Sequence, residues 1–292
     1  MNAFTIKDLE NLSGVKAHTI RIWEQRYDFL KPHRTDTNIR FYSNDELKMI
    51  LNIALLNKSG FKISHINKMS EDEICNKISQ LNYPEGQQER IINKLVGYMI
   101  DFDTDSFEQM LDDQLKHRDI DVFINEVIFP FLEKVGVLWI TNHINPAQEH
   151  LVTNIIRQKI LVGIEKISPV LSDDKTALLF LPEGEHHEIG LLYVYYLLKR
   201  RGVKVFYLGA DVPLKDLGYV VIAKSPAFIY THLTSIAHNF NMERFLNNLK
   251  VHIQNVPVNI SGPITTSYKK EVPSTIHFKK SIEEVKQFIA SL

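Results

Sequence analysis

Residues 185–190, which read Glu-His-His-Glu-Ile-Gly, hold the densest group of chemically capable side chains in this chain of 292 residues. Imidazole and carboxylate groups can ligate a metal ion or transfer a proton near neutral pH. The segment lies between an apolar run at 176–181 and a helical pattern near 188–201. Ligands of α/β proteins bind at such strand ends. A histidine pair in a loop is ordinarily solvated, so the position after a strand is what makes these residues candidates.

An uneven charge distribution singles out the first seventy residues. They contain 11 Lys or Arg and 7 Asp or Glu, net +4, whereas the rest of the chain has 23 against 28, net −5. A small basic segment on an acidic body is compatible with nucleic-acid contact by that segment alone.

The periodicity of the same seventy residues predicts a helix-turn-helix. Thr5 and Asp8 form a capping-box pattern that starts a helix at about 5–12. A turn containing Gly14 leads to a second helix at about 17–27. Two short helices joined in this way are typical of DNA-reading heads.

A wing and a longer helix are predicted to follow. Residues 31–42 place polar and turn residues between two short extended segments, which predicts a small β-wing. A second capping-box pattern at Ser43 starts a helix that ends near Ser59. Trp23 and Tyr27 are expected in the core of this head.

The remainder of the chain changes its periodicity at a polar stretch around 172–175. Before it, apolar residues three and four apart predict a four-helix bundle, with helices at 90–99, 106–115, 121–138 and 149–167. After it, the predicted strands are 176–181, 203–208, 226–231, 257–261 and 275–278, and the helices lie near 188–201, 214–223, 241–253 and 281–291. This alternation is typical of a flavodoxin-like, Rossmann-type parallel sheet, in which Asp211 would cap a helix. We expect a multidomain α and α/β chain with domains at 1–70, 75–170 and 174–292.

The composition excludes several classes of protein. The single cysteine, Cys75, permits no intramolecular disulfide. No stretch reaches the ~18–20 apolar residues of a membrane span, and the first residues lack the pattern of a signal peptide. We therefore expect a cytoplasmic protein without a membrane partner. The sequence shows no hydrolase, phosphate-loop or zinc pattern, so we expect no enzymatic activity.

The head resembles a known family at four segments, Phe4-Thr-Ile-Lys-Asp-Leu9, Ser13-Gly-Val15, Thr19-Ile-Arg-Ile-Trp-Glu-Gln-Arg-Tyr27 and Ile39-Arg-Phe-Tyr42. They are similar to the winged helix-turn-helix of MerR-family regulators, which implies binding of double-stranded promoter DNA as a dimer. Side chains at the start of the second helix would contact base edges, and arginines on helix and wing would contact phosphates. The residues in these roles are Lys16, His18 and Thr19 for the bases and Arg21, Arg26, Arg34 and Arg40 for the phosphates. An ion pair with Glu24 is the structural alternative for Arg26.

Residues 185–190 resemble the Asp/Glu-x-His-x-x-Gly signature of cobalamin-binding domains. The resemblance implies that His187 coordinates cobalt from the lower face and that Glu185 orients its imidazole, with His186 as a bystander. Gly190 would let the nucleotide tail of the cofactor pass close to the backbone.

Two further markers of that family follow in altered form. Thr231-His-Leu233 stands where Ser-x-Leu is usual, and Ser261-Gly262 stands where Gly-Gly is usual. Thr231 keeps a hydroxyl for the nucleotide base, whereas Ser261 adds a side chain to the path of the tail. We expect Thr231, Leu233, Ser261 and Gly262 to contact the cofactor.

Trp139 is followed, after nine residues, by Glu149-His150. This resembles the Trp-x9-Glu-His motif in the helical cap of CarH/LitR-type, light-sensing MerR regulators. The resemblance implies that Trp139 packs over the upper axial group of cobalamin and that Glu149 and His150 surround an adenosyl group. Standing alone, Trp139 would be assigned to the bundle core. The chain order of winged helix, bundle and sheet resembles the family over nearly all of the sequence.

The resemblance implies an adenosylcobalamin-dependent, light-responsive regulator that represses in the dark and is released when light breaks the cobalt–carbon bond. It would act as a homo-oligomer, a dimer or a tetramer. Methylcobalamin or another cobalamin is the alternative ligand, although Glu149 and His150 favour the adenosyl form. Ile140 stands where light-sensing members have a cobalt-capturing histidine. His143, His150 or solvent could take its place.

Two other functions are compatible with the residues. Ile140, Thr231 and Ser261 also fit a light-independent regulator whose sensor domain binds another ligand or a protein partner. A cobalamin-carrying module of a methyltransferase or mutase would need a catalytic partner domain and would have no use for residues 1–70. A purified protein that stays colourless with cobalamins would favour the light-independent regulator.

Overall fold

A computed structural model of the protein describes residues 4–35, 38–81, 84–140, 144–168, 175–234 and 240–292. The chain divides into two compact units, residues 1–155 and 156–292. The first unit contains both the head and most of the bundle. The sequence-based division into three domains stays a prediction.

The head of the first unit is a winged helix-turn-helix, as predicted. Its elements are α1 (Ile6–Ser13), α2 (Ala17–Arg26), β1 (His33–Arg34), β2 (Arg40–Phe41) and α3 (Asn44–Lys58). Both capping boxes form, at Thr5 with Asp8 and at Ser43 with Glu46. Trp23 is buried in the core of the head. The local sequence signals therefore fix where these helices begin.

The bundle of the first unit begins after two short helices, α4 (Ile63–Ile66) and α5 (Glu71–Ser79). Its helices are α6 (Pro84–Ile100), α7 (Thr104–His117), α8 (Ile120–Phe123), α9 (Phe129–Ile140) and α10 (Pro146–Lys166). Between α8 and α9 the helix widens into one π turn, Ile124–Ile128. Fully buried aromatic rings, among them Phe107, Phe123 and Phe131, fill the centre.

Helix α3, which follows the wing, packs against α6 of the bundle. Lys48 of α3 pairs with Asp101 at 2.5 Å, and Lys58 pairs with Glu89 at 2.8 Å. The helix after the wing is thus in contact with the chain's own bundle.

The second unit is a five-stranded parallel sheet covered by helices. Its strands are β3 (Thr176–Pro182), β4 (Lys204–Val212), β5 (Phe228–His232), β6 (Val258–Ser261) and β7 (Ile276–Lys279), in the spatial order β4-β3-β5-β6-β7. The helices are α11 (Ile189–Arg200), α12 (Leu214–Lys224), α13 (Met242–His252), α14 (Ile264–Ser267) and α15 (Ile282–Ala290). This confirms the predicted flavodoxin-like fold. The order reverses next to β3, so the loops after β3 and β5 form the switch point at which such sheets bind ligands.

Strand β3 shows why this unit folds as it does. Leu178 and Phe180 face one apolar cluster, and Leu179 and Leu181 face the other. Successive side chains of a strand point to opposite faces, so a continuous apolar run is required where helices cover both faces.

Among the described residues, no helix combines the length and the apolar character needed to cross a bilayer.

Candidate functional site

The loop after β3 holds a buried carboxylate against an imidazole. Glu185 is 2% exposed, and its Oε1 lies 2.7 Å from Nδ1 of His187 and 3.0 Å from the backbone nitrogen of His187. Since a carboxylate accepts, Nδ1 of His187 donates, which places the imidazole lone pair on Nε2. The sequence prediction that Glu185 orients His187 agrees with this geometry.

The same carboxylate also binds the end of β5. Oε2 of Glu185 accepts a hydrogen bond of 2.8 Å from the backbone N–H of Thr234. The loops after β3 and β5 are therefore joined through one side chain at the switch point. Thr231, on β5, is fully buried, and its Oγ1 has no hydrogen-bond partner among the described residues.

Glu188, next to His187, forms a second cluster that the sequence did not reveal. Its Oε2 accepts from Nε of Arg157 at 2.7 Å, and its Oε1 accepts from the hydroxyl of Tyr207 at 2.8 Å. Burial, followed by the hydrogen bond to Glu188, raises the pKa of Tyr207, so its hydroxyl stays protonated. Arg157 lies on α10 and Tyr207 on β4, so the cluster holds the start of α11 to both elements.

We expect Arg157 and Glu188 to be energetically coupled by about 1 kcal/mol, because an ion pair with a largely buried carboxylate is stronger than a surface pair. A double-mutant cycle with Arg157→Ala and Glu188→Gln, followed by urea unfolding, measures this coupling. If the double variant lost as much stability as the two single variants together, Arg157 and Glu188 would not be coupled. Arg157 would then be a solvated surface residue.

Asp211 corrects a sequence-based prediction. We predicted that it caps the helix after β4, but α12 begins after Pro213, whose side chain makes no capping hydrogen bond. Asp211 instead accepts a 2.9 Å hydrogen bond from the N–H of Gly184 and has a positive φ of 57°. Its own N–H donates to the carbonyl of Glu185 at 3.3 Å. Asp211, a residue with a strained backbone, thus holds the loop that carries Glu185 by two hydrogen bonds.

His232, the middle residue of Thr231-His-Leu233, fills the space over Gly190. A Cβ on Gly190 would stand 2.4 Å from Cδ2 of the His232 ring. Nδ1 of His232 lies 2.8 Å from Oγ of Ser261. Burial lowers the pKa of His232 to about 4, although the negative charge of Glu185 acts to raise it. The ring is therefore neutral at pH 7. We predicted that Gly190 lets the cofactor tail pass; in this structure it accommodates an imidazole.

The backbone conformation and surroundings of position 262 require glycine. Its φ is +106°, and an added Cβ would stand 2.1 Å from the carbonyl oxygen of Leu233. The N–H of Leu233 in turn donates to the carbonyl of Ser261 at 2.9 Å. Gly262 therefore allows β5 and β6 to close together at their carboxyl ends.

In the first unit, the candidate cofactor residues lie near the end of α9 and the start of α10. Trp139 is in the last turn of α9 and is 47% exposed, which is unusual for an indole. Glu149 and His150 are the fourth and fifth residues of α10, with Nδ1 of His150 2.9 Å from Oε2 of Glu149. The expectation for an isolated Trp139, a place in the bundle core, does not hold. His143 and the side chain of Ile140 lie outside the described residues.

The predicted DNA-contacting residues are mostly exposed. Lys16, His18, Arg21, Arg26 and Arg34 are exposed, and Thr19 is partly buried. Arg34 also donates to Oδ1 of Asn38 at 2.7 Å within the wing.

Arg40 has a structural contact of its own within the head. Its Nε lies 3.4 Å from Glu24, which also accepts a hydrogen bond from Tyr42. Glu24 is thus paired with the wing, and the phosphate contact of Arg40 stays a prediction.

Four residues of the site in the second unit were missed or misassigned from sequence: Arg157, Tyr207, Asp211 and His232. Arg157 follows His150 by seven residues on one helix, a spacing that places both on the same face and could have indicated a shared role. The contacts of Tyr207, Asp211 and His232 depend on which strands are neighbours, for which the sequence contains no local signal.

Comparison with protein-family models matches two parts of the chain. The MerR HTH family regulatory protein model covers residues 4–73, and the B12 binding domain model covers residues 91–162. The first match confirms the predicted head. The second falls on the bundle that carries Trp139 and Glu149.

Two relatives and one solved structure extend these matches. The HTH-type transcriptional repressor CarA of Myxococcus xanthus is 30% identical over 214 residues, which is 73% of this chain and 70% of the relative. The repressor CarH of the same organism is 29% identical over 275 residues, 91% of each chain. The monomethylamine corrinoid protein of Methanosarcina barkeri superposes with a TM-score of 0.57 at 14% identity, covering 70% of this chain and all of the other, and supports the fold.

The winged head and the bundle together define a DNA-binding transcriptional regulator that carries a B12-binding domain. The similarity to CarA extends over more than two thirds of both proteins. The chain belongs to the family of MerR-type transcriptional repressors that includes CarA and CarH.

Proposed function

We propose that the protein is a repressor whose occupancy of promoter DNA is controlled by adenosylcobalamin and light. The observation that carries the proposal is the hydrogen bond from Nδ1 of His187 to the buried carboxylate of Glu185 at the sheet's switch point. A carboxylate that holds the far nitrogen of an imidazole is the common way to present Nε2 to a metal.

The described residues fit a cobalamin in two respects and restrict it in one. His187 offers a nitrogen donor whose tautomer is set by Glu185. The unsatisfied buried hydroxyl of Thr231 is a polar group that a nucleotide base would satisfy. The ring of His232, in contrast, occupies space beside Gly190 that the tail would need.

The proposal assigns a role to each group of predicted cofactor residues. His187 would hold the cobalt, and Glu185 would keep the imidazole oriented. Trp139, Glu149 and His150 would contact the adenosyl group. Bound adenosylcobalamin would supply a cobalt–carbon bond that light breaks. Ile140 has no imidazole to offer the cobalt, and among the described residues the exposed His150 would be the candidate to offer one.

Control of DNA binding follows from linkage. A ligand shifts an equilibrium only by its differential affinity for the two states, and here the favoured state is a homo-oligomer, a dimer or tetramer. An assembly that joins several winged heads binds adjacent half-sites at high effective concentration. Loss of the ligand would loosen the assembly and release the operator.

The proposal is tested on full-length protein mixed with adenosylcobalamin in the dark and again after green light. Absorption spectra and size-exclusion elution are recorded in both states. We expect co-elution of the chromophore with the protein, a spectral change on illumination and a smaller assembly afterwards. Cobalamin that elutes apart from the protein in the dark would refute the proposal.

A light-independent regulator is the second candidate function, and Ile140 together with the His232 ring favours it. In that case the protein binds cobalamin weakly or not at all, and its elution is the same in the dark and after illumination. The same experiment therefore separates the two candidates.

The head makes a prediction that is independent of the cofactor. Arg21→Ala should weaken binding to operator DNA about fivefold to tenfold and lower the slope of log affinity against log salt by about 1, because one phosphate contact is lost. Lys94→Ala, at an exposed site on α6, is the matched control. Equal salt slopes for both variants in a titration by fluorescence anisotropy would remove Arg21 from the interface.

A further inference from the structure

His232 lies across the end of the sheet between two elements. Its ring rests on the start of α11, where a Cβ on Gly190 would come within 2.4 Å of Cδ2 and 2.5 Å of Nε2. On the other side its Nδ1 lies 2.8 Å from Oγ of Ser261 at the end of β6. The imidazole therefore bridges α11 and β6 and closes the space between them.

The neighbours of this ring are the residues that the proposed function assigns to the nucleotide of the cofactor. Gly190, beside which the ring lies, is the residue expected to let the tail pass close to the backbone. Ser261, which would face the tail, is already in contact with His232. A nucleotide tail could pass between Gly190 and Ser261 only after the ring has moved away from both residues.

We propose that His232 is a specificity-determining residue that closes the nucleotide path. A corrinoid with a nucleotide tail then binds at the expense of the contact between His232 and Ser261, whereas a corrinoid without the nucleotide binds with that contact intact. The inference rests on the proposed function, because it assumes a corrinoid at His187.

The test compares two ligands that share the corrin ring, cobalt and upper group and differ in the nucleotide. Dissociation constants of adenosylcobalamin and adenosylcobinamide are measured in the dark, by absorption titration, for the full-length protein and for His232→Ala. We expect His232→Ala to tighten cobalamin binding about tenfold. The variant has no hydrogen bond between residue 232 and Ser261 to break on binding, and one neutral hydrogen bond corresponds to about this factor. Binding of cobinamide should change less than twofold.

Two further variants complete the test. His277→Ala removes an exposed histidine on β7 of the same unit and should leave the ratio of the two constants unchanged. His232→Thr replaces the ring by a smaller, β-branched side chain suited to a strand end, in case the alanine variant does not fold. It should change the ratio in the same direction as alanine.

The outcomes are distinct. If both ligands bind and the ratio is unchanged, or if cobinamide tightens as much as cobalamin, the role of His232 is refuted while the proposed function stands. If neither ligand binds the protein or its variants, the proposed function fails and the inference with it. A selective gain for the ligand with the nucleotide supports both.

Discussion

Gly262→Ala is expected to destabilise the second unit by about 3–5 kcal/mol, which is a large fraction of the stability of a typical domain. The new Cβ would stand 2.1 Å from the carbonyl oxygen of Leu233, a backbone atom that cannot rotate away. The N–H of Leu233 is bonded to Ser261, so a shift of this carbonyl would also disturb the contact between β5 and β6. The positive φ of 106° adds strain of its own.

Gly184→Ala is the matched control for this prediction. Gly184 also has a positive φ, 81°, but an added Cβ there meets nothing within 4 Å. It should lose only about 1–2 kcal/mol, the cost of a left-handed residue. Urea unfolding followed by circular dichroism gives both values, and equal losses would mean that the close approach of Leu233 relaxes without cost.

His187→Ala is expected to weaken cobalamin binding by about a hundredfold or more, because even the loss of a residue that only orients a metal ligand costs tenfold to a hundredfold. Light control of DNA binding should weaken with it, while the winged head, which belongs to the other unit, keeps its affinity for operator DNA. Absorption titration in the dark and DNA binding in the dark and in the light measure the two effects.

His186→Ala is the control, since His186 is exposed and directly adjacent in the chain. It should bind cobalamin as the unchanged protein does. Glu185→Gln separates orientation from ligation, because it keeps the shape of the side chain and removes the charge that holds Nδ1 of His187. An unchanged light response in His187→Ala would overturn the assignment of the lower ligand.

Much of the fold could be predicted because its signals are local. Thr5 with Asp8 and Ser43 with Glu46 form the capping boxes that the sequence indicated. The run at Thr176–Pro182 is apolar throughout because helices cover both faces of β3, and such a run is readable without knowledge of its neighbours.

The site was predictable only in part, for a physical reason. The bond from His187 to Glu185 joins residues two apart, so spacing revealed it. The contacts of His232 with Ser261 and of Asp211 with Gly184 join residues more than twenty-five positions apart. They depend on the order of strands in the sheet, which no local pattern encodes.

The π turn between α8 and α9 has a consequence for insertions and deletions in this family. Such a turn accommodates one residue more than an α turn, and each residue of an α-helix advances about 100° around the axis. A deletion of one residue within Ile124–Ile128 would restore the narrower turn and leave every later position of α9 on its present face. A deletion of one residue between the π turn and Trp139 would instead rotate the positions beyond it by that angle and move the indole of Trp139 away from the face on which it is now exposed.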